Sequence, residues 1–210
     1  MTAQTPWLQG NELQVGSATR LAGRMTEQQS RRYPDLWVDP EDDPRTTHTT
    51  PHGEKAVLAE YLDHFRKTFE MKCEGLDAEQ LARRSVPPSS MSLLGLVRHL
   101  ASVEFHWFRR YIEGHQELPR PFKSPEDRDL DFNGAVDDPE VVAEAWDTWH
   151  REVAHAREVY ARYDDLGTRV GPAGDESELR ETVVHMIEEY ARHCGHADLL
   201  RERVDGRTGQ

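Results

Sequence analysis

SELRETVVHMIEEYARHCGHADLLRER, Ser177 to Arg203, is the stretch on which the reading of this chain turns. Leu179, Val183, Met186, Tyr190, Ala197 and Val204 recur at three- and four-residue steps, the period of one apolar face on a long helix. About a quarter turn away runs a second stripe: His185, Glu189, His193 and His196. Side chains three and four residues apart stack as neighbours on a helix. Three imidazoles and a carboxylate beside a buried face are costly to desolvate without partners. A divalent metal meets that cost, since Glu189 and His193 stand at i and i+4 and can grip one ion. The competing reading is a solvated polar flank that carries scattered histidines.

Working outward, three further amphipathic helices are predicted. The first runs from Glu54 to Glu74, with Val57, Leu58, Tyr61, Leu62, Phe65, Phe69 and Met71 or Lys72 on its stripe and Gly75 placed to end it. Leu76 to Arg83 gives a short helical turn before Pro87 and Pro88 interrupt the chain. Ser89, Ser90 and Ser92 offer caps for a second helix to about Glu113, faced by Leu93, Leu96, Val97, Leu100, Trp107, Phe108 and Tyr111. Residues 114–138 form a proline- and aspartate-rich connection too long for a tight turn. Asp138 and Pro139 cap and start a third helix to about Tyr163, striped by Val142, Ala145, Trp146, Trp149, Val153, Ala156 and Tyr160. Gly167 to Gly174 leads into the fourth helix. The expected fold class is all-α: a four-helix bundle with a long crossover between helices 2 and 3. Residues 1–52 are set apart by scattered prolines and the acidic run Glu41-Asp42-Asp43. They are expected to form an extended or disordered arm whose Tyr-Pro-Asp-Leu-Trp segment lies against the 53–206 domain.

Two residues on the second helix stand out. His99 flanks its apolar face much as the histidine stripe flanks the fourth. Glu104 falls close to the middle of the apolar arc, and a carboxylate there needs a partner, for which the metal histidines and Tyr190 are the candidates. His99, Glu189 and His193 together make two histidines and one carboxylate with positions left open, the donor set of catalytic zinc and of non-haem iron sites. Glu104, His185 and His196 stand as supporting groups or alternative ligands; a fraction of a turn in the last helix would bring His185 or His196 to the place of Glu189. Competing signatures fail. No His-Glu-x-x-His occurs. The one Glu-x-x-His, Glu152 to His155, is half of what a di-iron bundle needs. No P-loop or dinucleotide-binding glycine pattern is present. Cys194 points away from Glu189 on the helical wheel and reads as a small buried filler. His48, His52, His64, His106, His115, His150 and His155 read as surface residues.

The run MSLLGLVRHLASVEFHWF, Met91 to Phe108, followed by HMIEEYARHCGHAD, His185 to Asp198, resembles the DinB/YfiT-like superfamily, in particular its actinobacterial branch. The resemblance covers about residues 53–206. It implies a four-helix bundle, often a homodimer, with a divalent ion held by one residue of the second helix and two of the fourth. Three histidines are the commonest set. Glu189 where many members have histidine is similar to the His, Glu, His pattern of mycothiol-dependent maleylpyruvate isomerases, and carries over His99, Glu189 and His193. Zinc is the implied metal, with nickel or iron as alternatives, and mycothiol a possible cosubstrate.

Composition bounds the function classes. The chain has 26 basic and 39 acidic residues, a net charge of −13, which argues against nucleic acid or acidic membranes as partners. No basic start and apolar run suggests a signal peptide, and no segment approaches the ~20 apolar residues of a membrane span. Cys73 and Cys194 support neither a disulfide scaffold nor a cysteine-rich zinc module. A cytoplasmic protein with a small-molecule substrate is expected. Three functions compete: a metal-dependent thiol S-transferase or isomerase, a metal-dependent hydrolase, and a non-catalytic metal-binding, stress-associated dimer.

Overall fold

The structure, a computed structural model, describes Tyr33, residues 35–46 and residues 50–209. Helix α1, Glu54–Cys73, buries Leu62, Phe69, Met71 and Cys73. Gly75 follows it at φ 72°, a left-handed conformation that suits a helix end. Tyr61, expected on the apolar stripe, is 58% exposed; the buried positions follow Leu62 and Phe69, and Tyr61 lies off that line. A short helix α2, Ala78–Ala82, opens with a capping box between Asp77 and Gln80. Helix α3, Leu93–Glu104, is capped by Ser92, whose hydroxyl accepts from the Gly95 N–H at 3.0 Å.

From Phe105 to Ile112 the second long helix continues as a π-helix rather than the α-helix expected to Glu113. Wider winding of this kind is rare and concentrates at functional sites. The crossover is not structureless. It carries helix α4, Leu130–Asn133, seated on α3 at Gly95, where a Cβ would come within 2.7 Å of the Phe132 ring. Helix α5, Pro139–Ala161, starts with Pro139 in its first turn and the Asp138 side chain accepting from the Glu140 N–H. Strands β1, Arg169–Val170, and β2, Ser177–Glu178, pair antiparallel with Arg169 opposite Glu178, a two-stranded clasp across the glycine-rich piece. Helix α6, Leu179–Asp205, follows and ends at Gly206 in the left-handed region.

Helix α1 packs mainly on α6 and α3 mainly on α5, giving the all-α bundle expected. Its core includes Leu93, Leu96, Leu100, Phe108, Ala145, Trp149, Leu179, Val183, Met186 and Tyr190. Burying each large apolar side chain contributes roughly 1.5–3 kcal/mol against its own ordering entropy. Among the described residues, no helix is long and apolar enough to cross a membrane. Of the N-terminal arm, Trp37 is 2% exposed, with Lys72, Arg201 and Arg207 over its ring. Residues 1–32, 34 and 47–49, with His48 among them, lie outside the described residues.

Candidate metal centre

His99 on α3 and Glu189 and His193 on α6 offer ligand atoms that all lie within 4.8 Å of one another. Glu189 Oε2 is 3.4 Å from His193 Nε2 and 3.8 Å from His99 Nε2. The imidazole rings of His99 and His193 stand edge to face at 4.8 Å. Two donors each about 2.0–2.2 Å from one tetrahedral ion lie about 3.3–3.6 Å apart. The Glu189–His193 pair at 3.4 Å matches that spacing and the Glu189–His99 pair at 3.8 Å lies just beyond it, so small side-chain shifts would close the three donors on one ion.

Each of the three side chains is held from behind. Asp131 Oδ2 lies 2.9 Å from His99 Nδ1, which places a proton on Nδ1 and leaves the Nε2 lone pair toward Glu189. Asp131 is fully buried and is tied in turn to Lys123 Nζ at 2.7 Å. Burial pushes its carboxyl up, but hydrogen bonds with His99 and Lys123 win and hold it below the ordinary range. Phe132 stacks on the His99 ring at 5.5 Å. His193 Nδ1 meets His196 Nδ1 at 3.2 Å, so one ring donates and the other accepts. His185 Nε2 lies 3.7 Å from the second carboxylate oxygen of Glu189, with its ring against Trp107 at 4.7 Å.

The charges agree with this arrangement. Hydrogen bonds with His193 and then His99 hold the Glu189 carboxyl far below the usual carboxylate range. Burial pulls His99 down, but Asp131 and Glu189 outweigh it and raise its affinity for a proton. Together these shifts favour an ionised Glu189 beside a His99 that holds its proton more tightly. The donor set of two imidazoles and one carboxylate, with an aspartate behind the first, fits a divalent ion.

The structure puts the remaining sequence-derived residues in three kinds of place. His185 and His196 adjoin the trio, one on each side. Glu104, 0% exposed, accepts from Arg66 Nε and Nη2 at 2.8 Å each and from the Tyr190 hydroxyl at 2.8 Å. Trp149 Nε1 completes that chain by donating to Tyr190 Oη at 2.8 Å. Tyr190 was a foreseen partner of Glu104; Arg66 was not. Cys194 is buried, its thiol directed at the Phe65 carbonyl. His106 and His155, expected on the surface, are half-buried. His155 bonds Glu113 at 2.7 Å, and His106 Nδ1 is buried without a partner. Asp131 and Lys123, both in the crossover, were missed because nothing periodic marks them.

A conserved protein from Enterococcus faecalis has the same fold, with a TM-score of 0.52 over 74% of this chain and 99% of that one at 15% identity. No curated protein matches the chain. A family model described as mycothiol S-transferase matches residues 57–206. That span holds nearly the whole bundle, both halves of the donor cluster and the crossover that supplies Asp131, and the chain belongs to the mycothiol S-transferase family.

Proposed function

We propose that this chain is a metal-dependent enzyme that transfers a low-molecular-weight thiol, mycothiol in the family's case, to an electrophilic small molecule. The carrying observation is the trio His99, Glu189 and His193, which small side-chain shifts would close on one ion and which is backed by Asp131. Two imidazoles and a carboxylate suit zinc and leave coordination positions open. When bound, the ion supplies Lewis acidity that keeps a ligating thiol ionised at neutral pH.

The chain's own cysteines support an external nucleophile. Burial pushes the Cys194 thiol up to about 12 and Cys73 higher still, so both stay protonated and unreactive. In the transfer, the thiolate sulfur forms a bond to the electrophilic carbon. The bond to the leaving group, or to an epoxide oxygen, breaks with its electron pair. His185 lies beside Glu189 and is partly open to solvent, a position from which an imidazole can take the thiol proton or return one to the leaving group. Asp131 fixes the His99 ring, and Tyr190 anchors the turn next to Glu189 through Glu104.

Metal analysis of purified protein and of His193→Ala, combined with a panel of epoxides, alkyl halides and esters assayed with and without thiol, tests this. Stoichiometric metal lost in the variant and turnover only with thiol are expected. Turnover with water alone, indifferent to thiol, points to a hydrolase. A metal that raises the melting temperature without any turnover points to a structural site.

A further inference from the structure

His99, Ser102, His106 and Arg110 follow one another at three- and four-residue steps along α3 and its π-helical continuation. Over Ser102 lies Arg120 from the crossover. Its Nε donates to the Ser102 hydroxyl at 3.1 Å and its Nη2 to the Ser102 carbonyl at 3.4 Å. Arg120 has no salt-bridge partner among the described residues, and neither has Arg110, which donates to the Gln116 carbonyl at 2.7 Å and keeps a buried Nε unpaired. Among the described residues, Arg84, Arg128, Arg169, Arg192 and Arg203 lack one too, but they are exposed; the more enclosed Arg66, Arg109 and Arg201 all meet carboxylates. In a chain of net charge −13, two half-buried guanidinium groups without a carboxylate need a reason.

Their place supplies one. Arg120 and Arg110 both act electrostatically on His106, as does His185. His185 in turn lies 3.7 Å from Glu189. Arg120 also feels Asp131, which holds His99. Arg120 covers Ser102, three residues beyond His99 on the same helix, and Arg110 follows His106 four residues further on, so both guanidinium groups stand along the helix that carries His99. Arg120 uses Nε and Nη2 on a neutral serine, so no carboxylate pairs with it directly. A planar guanidinium matches a carboxylate or a related oxyanion in both charge and shape.

We propose that Arg120, backed by Arg110, forms an anion subsite beside the metal centre that binds a carboxylate of the electrophilic substrate. The inference deepens the thiol-transfer reading and rests on it for the word substrate; the subsite itself does not need turnover. It makes the preferred electrophile an acid rather than an uncharged molecule, and it orients the reactive carbon relative to His99 and Glu189. A neutral thiol needs no such counter-charge, so the subsite serves the second substrate.

Two measurements on the metal-loaded protein test this. In the first, the ratio of kcat/KM for a carboxylate-bearing alkyl halide to that for its methyl ester is compared between wild type and Arg120→Gln. A charge-assisted hydrogen bond lost to neutral glutamine lowers that ratio about 10- to 100-fold. Arg157→Gln, which makes the same change in net charge on the exposed face where Arg157 pairs with Asp63, leaves the ratio unchanged. In the second, succinate is titrated into nitrogen-15-labelled protein and followed at the Trp107 indole and the arginine Nε–H signals. Saturable shifts in wild type that weaken at least tenfold in Arg120→Gln are expected, with inorganic phosphate and dimethyl succinate run beside it. Stronger shifts with phosphate than with succinate would overturn the carboxylate assignment. A ratio that stays within twofold, or succinate shifts absent from wild type or equal in the variant, overturns the subsite; equal shifts mean that the carboxylate sits on the metal. If no thiol-dependent turnover exists at all, the thiol reading has failed and the succinate titration alone decides the subsite.

Discussion

Asp131 Oδ2 lies 2.9 Å from Nδ1 of His99, and the carboxylate that makes this contact is fully buried. A residue of the crossover thereby decides which nitrogen of a helix histidine is free. With the proton on Nδ1, the Nε2 lone pair faces Glu189 and His193. Lys123 fixes Asp131 from the other side, so the orientation of the ring is set before any ion arrives.

Asp131→Asn keeps the shape but removes the charge and lets the amide donate as well as accept. The His99 tautomer is then no longer dictated. Metal affinity, measured by competition with a chromophoric chelator, falls about 10- to 100-fold, the scale of losing a partner behind a ligand. Unchanged affinity in Asp131→Asn would mean that His99 is oriented by packing against Phe132 alone.

The same pair sets a pH dependence. His99 has a folded pKa raised above its unfolded value of about 6.5. In metal-free protein its contribution to stability is complete below about 6.5 and is lost as pH rises through the raised value. Glu189 and Asp131 are depressed; their contributions are present above about 4 and lost only as pH falls through their folded values. A metal needs His99 neutral, so it competes with that proton. The melting-temperature gain from zinc therefore grows as pH rises from 6 to 8. A gain that is flat across this window would show that His99 is not a ligand.

The sequence displayed the trio because helices are local: His99 flanks one apolar stripe, and Glu189 and His193 flank another at i and i+4. Asp131 had no such signal. It sits among Asp127, Asp129, Asp137 and Asp138 in an aperiodic stretch, and what singles it out is that Gly95 lets Phe132 come close to α3. The burial of Glu104 was legible from its place in the apolar arc. Its main partner was not, since Arg66 reads as one more polar residue of α1 until α1 packs on the bundle. The π-helix from Phe105 to Ile112 left no mark in the sequence either.

Glu104 and Arg66 form a buried, two-bonded ion pair at 2.8 Å. Removing one partner strands the other charge in the core, at a cost of about 3–5 kcal/mol. Glu104→Ala is therefore expected to lose about 3–5 kcal/mol in urea unfolding, with the Tyr190 hydroxyl keeping its bond from Trp149 but left without an acceptor for its own proton. The double change Glu104→Leu with Arg66→Met strands no charge and recovers most of the loss. A double variant no more stable than Glu104→Ala would show that Tyr190, not the stranded guanidinium, carries the penalty.

Trp37 gives the last test, because it fastens a segment that no helix holds. Its ring is 2% exposed, with Arg207 at 3.8 Å and Lys72 at 4.1 Å from the ring centre. Arg207 also donates to the Trp37 carbonyl at 3.1 Å, and Lys72 donates to the Gly209 carbonyl at 2.5 Å. One indole thus ties the arm, the end of α1 and the chain beyond α6 together. Large-to-small change at such a buried aromatic costs about 3–5 kcal/mol, and each cation over the ring contributes about 0.5–2 kcal/mol. Trp37→Ala is expected to lie at the low end, near 3 kcal/mol, since the segment can move away and water can solvate Lys72. Trp37→Phe keeps an aromatic face and loses about half as much. Metal content should be unchanged in both, because the trio lies elsewhere on α3 and α6. Loss of metal in Trp37→Ala would show that the arm supports the site; an unaltered urea midpoint would show that the cations over the ring contribute nothing.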